Sequence, residues 1–138
     1  MPKIAFIPSL KNALARKRCT DPAAELEEII RDLYDMFDTY EIGIRILDRC
    51  SEDIPELHEI YRVEIVNHLS DLLLEYVAKR VKQKHFRKPP DSNYASFFIT
   101  EVIALFTINK YRLPKEGELD GEKARETVVN AILGFLLP

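Results

Sequence analysis

HEIYR, residues 58–62, opens as the zinc-protease pattern HExxH does, with His58 and Glu59 in place but Arg62 where the second histidine is needed. A catalytic zinc takes three protein ligands and keeps one position open, and no third ligand is apparent here, so metal catalysis is not expected. Glu64 and His68 would sit one helical turn apart and could hold a proton between them, yet a solvated pair is the simpler reading. Cys19 and Cys50 are the two cysteines; with no CxxC and no Cys/His cluster they read as thiols in a reducing compartment. No glycine-rich phosphate loop, nucleophile elbow or paired-carboxylate signature occurs. Neither enzyme chemistry nor a cofactor is expected.

The charges are segregated. The 138 residues sum to −3, but residues 1–20 hold five bases and no acid, whereas 21–60 hold thirteen acids against three bases. Residues 61–90 turn basic again, with seven bases against three acids. Within them KRVKQKHFRKPP, residues 79–90, gathers six bases and His85. Cations are favoured near a helix C-terminus by the backbone dipole, so a solvated helix end is the first expectation and a patch for an acidic partner the second. LARKRC, residues 14–19, is a smaller patch of the same sign.

A length of 138 residues suits one domain, and four glycines among many Leu, Ile, Ala, Glu, Lys and Arg favour helix. The apolar piece IAFI is too short for a secretory signal, which needs about 7 to 15 apolar residues. No apolar run approaches the ~20 residues of a membrane span. A soluble, cytoplasmic, all-α protein is expected, with residues 1–20 a basic segment or linker and 21–138 the helical domain.

Asp21-Pro22 supplies a cap and a first-turn proline, and Leu26, Ile29, Ile30, Leu33 and Phe37 then mark one buried face, with Glu25, Glu28, Arg31 and Asp32 facing water. A short helix is expected over about 40–50. Asp53 and Glu56 have the spacing of a capping box, opening a long helix to about His85 before Pro89-Pro90 forbids continuation. A helix over 91–112 and another over 124–138 follow, both apolar on most sides. Helices of that kind need cover on more than one side, and pairing with copies across a two-fold axis would supply it as an intermolecular four-helix bundle. The small-residue face Thr100, Ala104, Thr107 and Ile108, and Val128, Ile132, Phe135 and Leu136 of the last helix, are the interface candidates.

This order of elements resembles the C-terminal regulatory domain of the TetR/AcrR family of transcriptional regulators. The resemblance rests on TDPAAELEEIIRDLYDMFDTYEIGIRILDRCSED, IPELHEIYRVEIVNHLSDLLLEYV, PPDSNYASFFITEVIALF and the closing ARETVVNAILGFLLP, where Gly134-Phe135-Leu136-Leu137-Pro138 fits the end of the family's last bundle helix. FIPSLKNAL is similar to the passage that joins such domains to their DNA-binding module, though its spacing differs. The resemblance implies an all-α fold of about five to six helices, a homodimer built on the last two, and a small apolar or amphipathic effector. DNA contact would come only through a helix-turn-helix module, for which the twenty or so preceding residues are too few.

The resemblance also implies a ligand cavity between the helices over 21–50, 54–85 and 91–112. Tyr34, Phe37, Tyr61, Phe97 and Phe98 are its aromatic wall candidates, and Ile65, His68 and Leu72 follow Tyr61 along the long helix, with His68 as a polar anchor. Apolar cavities with a few placed polar groups are the usual form of such sites. The competing expectation is a helical homodimeric interaction module that binds an acidic protein or nucleic acid through its basic ends.

Overall fold

A computed structural model describes residues 7–138, and they are all-α. Helix α1 (Pro8–Ala15) lies inside the segment expected to be a linker. It forms because Pro8 takes the first helical position and because Ile7, Leu10 and Ala13 share a face that is fully enclosed. Burying a residue such as Leu10 stabilises by about 1.5–3 kcal/mol, enough to draw a basic segment onto α2 and α5.

Helix α2 (Pro22–Thr39) begins as expected, with the Asp21 carboxylate accepting from the Ala24 amide at 3.1 Å. Its apolar stripe is buried, but Glu25, expected in water, is buried with it. Helix α3 (Glu41–Cys50) follows after one residue and buries little beyond Ile44. Next come α4 (Pro55–His58), a π-helical stretch (Glu59–Asn67) and α5 (His68–Lys82), which run on without leaving the right-handed helical region. The expected capping box does not form: Pro55 occupies the first helical position, so Ile54 is the cap residue and Asp53 makes no cap bond. Lys84, at φ 64°, ends the rod in the left-handed region.

Helix α6 (Ser92–Phe106) is capped by Asp91, which accepts from the Asn93 amide at 2.8 Å. It stops six residues short of the expected 112, giving way to a turn and a 3₁₀ turn over Lys110–Arg112. Helix α7 (Gly121–Leu136) starts three residues before 124, because Asp120 accepts from the amides of both Glu122 and Lys123. Bidentate Arg31–Glu126 and Arg125–Asp35 pairs tie α2 to α7. The apolar chain end is anchored inside its own molecule: Arg87 donates its backbone amide to Leu136 O and its side chain to Leu137 O, both at 2.7 Å.

Around this core α5 packs chiefly on α6, and α2 on α7. At the C-terminal end of α5, Arg80 is completely buried and Glu25 nearly so. Arg80 Nε donates to Glu25 Oε1 at 2.8 Å and its Nη2 to Oε2 at 3.1 Å, while the Tyr76 hydroxyl donates to Oε1 at 2.9 Å. Arg16 adds a further bond to Oε2 at 3.1 Å. Burial pulls the Glu25 carboxyl upward, but these donors outweigh it and hold its pKa below 4.5. The same end of α5 grips the backbone after α1: Arg80 donates to Ala13 O, Lys79 to Leu14 O and Arg16 O, and Gln83 to Lys17 O. Three of the six bases in residues 79–90, Lys79, Arg80 and Arg87, thus bond within the chain, and the patch is smaller than its composition suggests.

Candidate functional site

At the other end of the helical rod, α2, α3, the π-helical stretch, the start of α5 and α6 leave a groove of about 490 Å³ between them. That volume falls within the range of small-molecule pockets, about 300–1,000 Å³. Phe37, Ile44, Ile65, Leu69, Ala104 and Ile108 supply apolar lining, and Phe97 stands at the edge, 47% exposed. Polar groups at the rim include Asp48, Arg62, Asn67, Ser70, Asn109 and Arg112.

The groove has this shape because α3 is short and contributes few contacts to α2, so the space beside Ile44 is not filled by a neighbouring helix. The π-helical stretch forms its opposite wall. Its i→i+5 bonding puts more residues in each turn than an α-helix has, and the inward stripe advances in steps of four through Tyr61, Ile65, Leu69 and Leu73. Tyr61 is partly buried, and burial first, then the nearby Asp48 charge, pushes its phenol up to about 12. It is therefore a neutral donor across the physiological range. Arg62 Nη2 reaches Asp48 Oδ1 at 3.3 Å with both side chains about half exposed, 50% and 46%.

Of the eight cavity residues expected from sequence, Phe37, Tyr61, Ile65 and Phe97 line this groove. Tyr34 does not: it is 4% exposed and borders a separate depression between α2 and the start of α7, where burial and then Asp38 push its phenol up to about 12. His68 is exposed, because the π-helical stretch gives the inward position to Leu69. Leu72 slips for the same reason and packs against the core beside Leu73. Phe98 points to the α6–α7 surface, its ring centroid 4.8 Å from that of Phe135.

The expected interface residues are also redistributed. Val128, Ile132 and Leu136 are 1%, 0% and 1% exposed within the single chain, and Thr107 is 0%. They have no surface left to offer a copy. Thr100, Ala104 and Ile108 line the groove instead. Phe135, at 37%, is the expected interface residue that reaches the surface, and it does so with Phe98 at 42%, Leu105 at 36% and Tyr94 at 72%.

Among the described residues no group of three His, Cys, Asp or Glu could hold a metal ion, and no helix is long and apolar enough to cross a membrane. Glu64 and His68 both face solvent. The sequence matches no family model, and no curated protein or solved structure matches it significantly. The functional reading therefore rests on the groove and the surfaces around it.

Sequence reading missed the Glu25–Tyr76–Arg80 cluster and the polar rim of Asp48, Arg62, Asn109 and Arg112. Arg80 carries a signal: it falls four residues after Tyr76, in line with Leu69 and Leu73, where a solvated arginine does not belong.

Proposed function

We propose that the chain is a ligand-sensing and dimerisation domain of TetR type, binding a small amphipathic effector in the groove and pairing with a second copy through α6 and α7. The observation that carries the reading is the groove itself, of small-molecule size, with an apolar floor and a polar lining of about equal extent. It lies between the helices where the resemblance implies a cavity, and Phe37, Tyr61, Ile65 and Phe97 are on its walls.

The dimer surface is reassigned to the outward side of α6 and α7. Phe98, Leu105 and Phe135 form an apolar patch there that the chain does not cover, and apolar patches on such a surface mark contact sites. In a complete regulator, ligand entry between α3 and α6 would bias the position of α6 and hence the relation of the two subunits, limited by the ligand's differential affinity for the two arrangements.

Sedimentation velocity tests the pairing. The chain is expected to run as a dimer at micromolar concentration, and Phe98→Arg and Phe135→Arg each as a helical monomer, since a buried unpaired charge is strongly unfavourable. A monomeric parent chain, or unchanged mass in both variants, would refute it. The competing reading, an acidic-partner module gripping through basic ends, is weakened because Arg16, Lys79, Arg80 and Arg87 already bond within the chain.

A further inference from the structure

Away from the groove, the depression between α2 and the start of α7 holds polar groups that the chain itself does not engage. Its volume is about 530 Å³, within the range of small-molecule sites. Tyr34 and Asp38, four residues apart and so on one face of α2, line it together with Phe106, Leu119 and Ala124. Tyr34 is 4% exposed, and a tyrosine buried to that degree usually finds a partner for its hydroxyl. Here the hydroxyl makes no hydrogen bond among the described residues, yet it is not sealed off from the cavity.

The charges on the lining are unequally engaged. Arg125 is held by Asp35 through two bonds, at 2.8 and 2.9 Å, and Lys110 by Glu41 at 3.3 Å. Glu122 stands 4.0 Å from Arg125. Asp38 has no ion pair or hydrogen bond among the described residues. It lies in the last turn of α2, where the free carbonyls of a helix end add negative potential. The first amides of α7, which would act the other way, are taken up by Asp120.

What faces the space unengaged is a carboxylate, a phenol oxygen and apolar side chains. A carboxylate only accepts, so the partner it lacks is a donor. A divalent metal would need about six oxygen ligands, and no group of three His, Cys, Asp or Glu among the described residues could hold one. An anion would meet Asp38 and Glu122, with the neighbouring cations already paired. An ammonium carries three donors on one atom, enough for both oxygens at once, and aromatic side chains attract organic cations.

We propose that this depression is a binding site for an organic ammonium, with the amine head between the Asp38 carboxylate and the Tyr34 hydroxyl and the apolar body on Phe106, Leu119 and Ala124. The site is separate from the groove and stands without it.

Calorimetric titration with 2-phenylethylamine, 2-phenylethanol and 3-phenylpropionate compares three heads on one body. At low ionic strength the amine is expected to bind about fivefold more tightly than the alcohol, with the gap narrowing in salt and the carboxylate weakest. Asp38 is exposed, so Asp38→Asn should spare the fold and bring the amine to the level of the alcohol. Tyr34→Phe should weaken the amine about threefold and leave the melting temperature where it is, since the lost hydroxyl bonds to nothing in the described chain. Glu101→Gln, on the lining of the groove, should change none of these. Equal binding of amine and alcohol, a preference that survives Asp38→Asn, one that Glu101→Gln removes, or binding of none of the three would each overturn the proposal.

Discussion

The two ends of the rod formed by α4, the π-helical stretch and α5 handle charge in opposite ways. At the C-terminal end the Arg80–Glu25 pair is sealed from water, and the Tyr76 hydroxyl, Arg16 and the Ala13 carbonyl take up the remaining bonding positions. At the groove end Arg62 and Asp48 meet at 3.3 Å with about half of each side chain in water, and the guanidinium groups of Arg45 and Arg112 lie over the Tyr111 ring, 5.4 and 5.6 Å from its centroid. Burial makes the difference: a sealed charge cannot change partner without a large penalty, whereas a wet one exchanges bonds at little cost. One end is therefore fixed and the other is free to rearrange its bonds.

The contrast can be broken or sharpened by substitution. Arg80→Ala should give the largest effect, a loss of about 3–5 kcal/mol in urea unfolding, because it strands Glu25 inside the protein. Tyr76→Phe should cost less, about 1.5–3 kcal/mol, the range for a bond to a charged group. Acid should act on the same cluster. Glu25 has its pKa held below 4.5 in the folded chain, so its contribution is present above that value and is lost as pH falls through the lower folded pKa. Thermal melts should therefore fall below about pH 4.5, and Glu25→Gln should flatten that part of the profile. Arg62→Ala, at the groove, should change stability by no more than about 1 kcal/mol. Equal losses for Arg80→Ala and Arg62→Ala would erase the distinction between the two ends.

What could be read from sequence follows from how local the cause is. Helix α2 was legible because Asp21, Pro22 and the Leu26–Phe37 stripe act within a few turns. The start of α7 was missed because Asp120 sits in a stretch whose Gly and charge content reads as loop, although it caps two amides. His68, expected to face inward, is exposed because the inward stripe through the stretch that hydrogen-bonds i→i+5 and into α5 runs in steps of four, over Tyr61, Ile65, Leu69 and Leu73. In α6 and α7 apolar residues occur on most sides, so the pattern carries little contrast to tell the inward Ile132 from the outward Phe135. Glu25 and Arg80 lie 55 positions apart, and no periodicity links them. Half of the groove's expected walls were legible because they fall on strong stripes; its charged rim, set by where α3 and the 3₁₀ turn come together, was not.

The grip of α5 on the chain after α1 has a consequence for how this protein can vary. Lys79, Arg80 and Gln83 hold carbonyl oxygens of Ala13, Leu14, Arg16 and Lys17, and every residue type presents such an oxygen. Point changes along residues 13–17 therefore leave these acceptors in place, while a change at position 79, 80 or 83 removes them from use. Sensitivity arising from this contact should fall on one side only, so a saturation scan would find positions 79, 80 and 83 intolerant, and in the gripped segment only the side chains with other roles, the enclosed Ala13, the core-packed Leu14 and the Glu25-bonded Arg16, should matter.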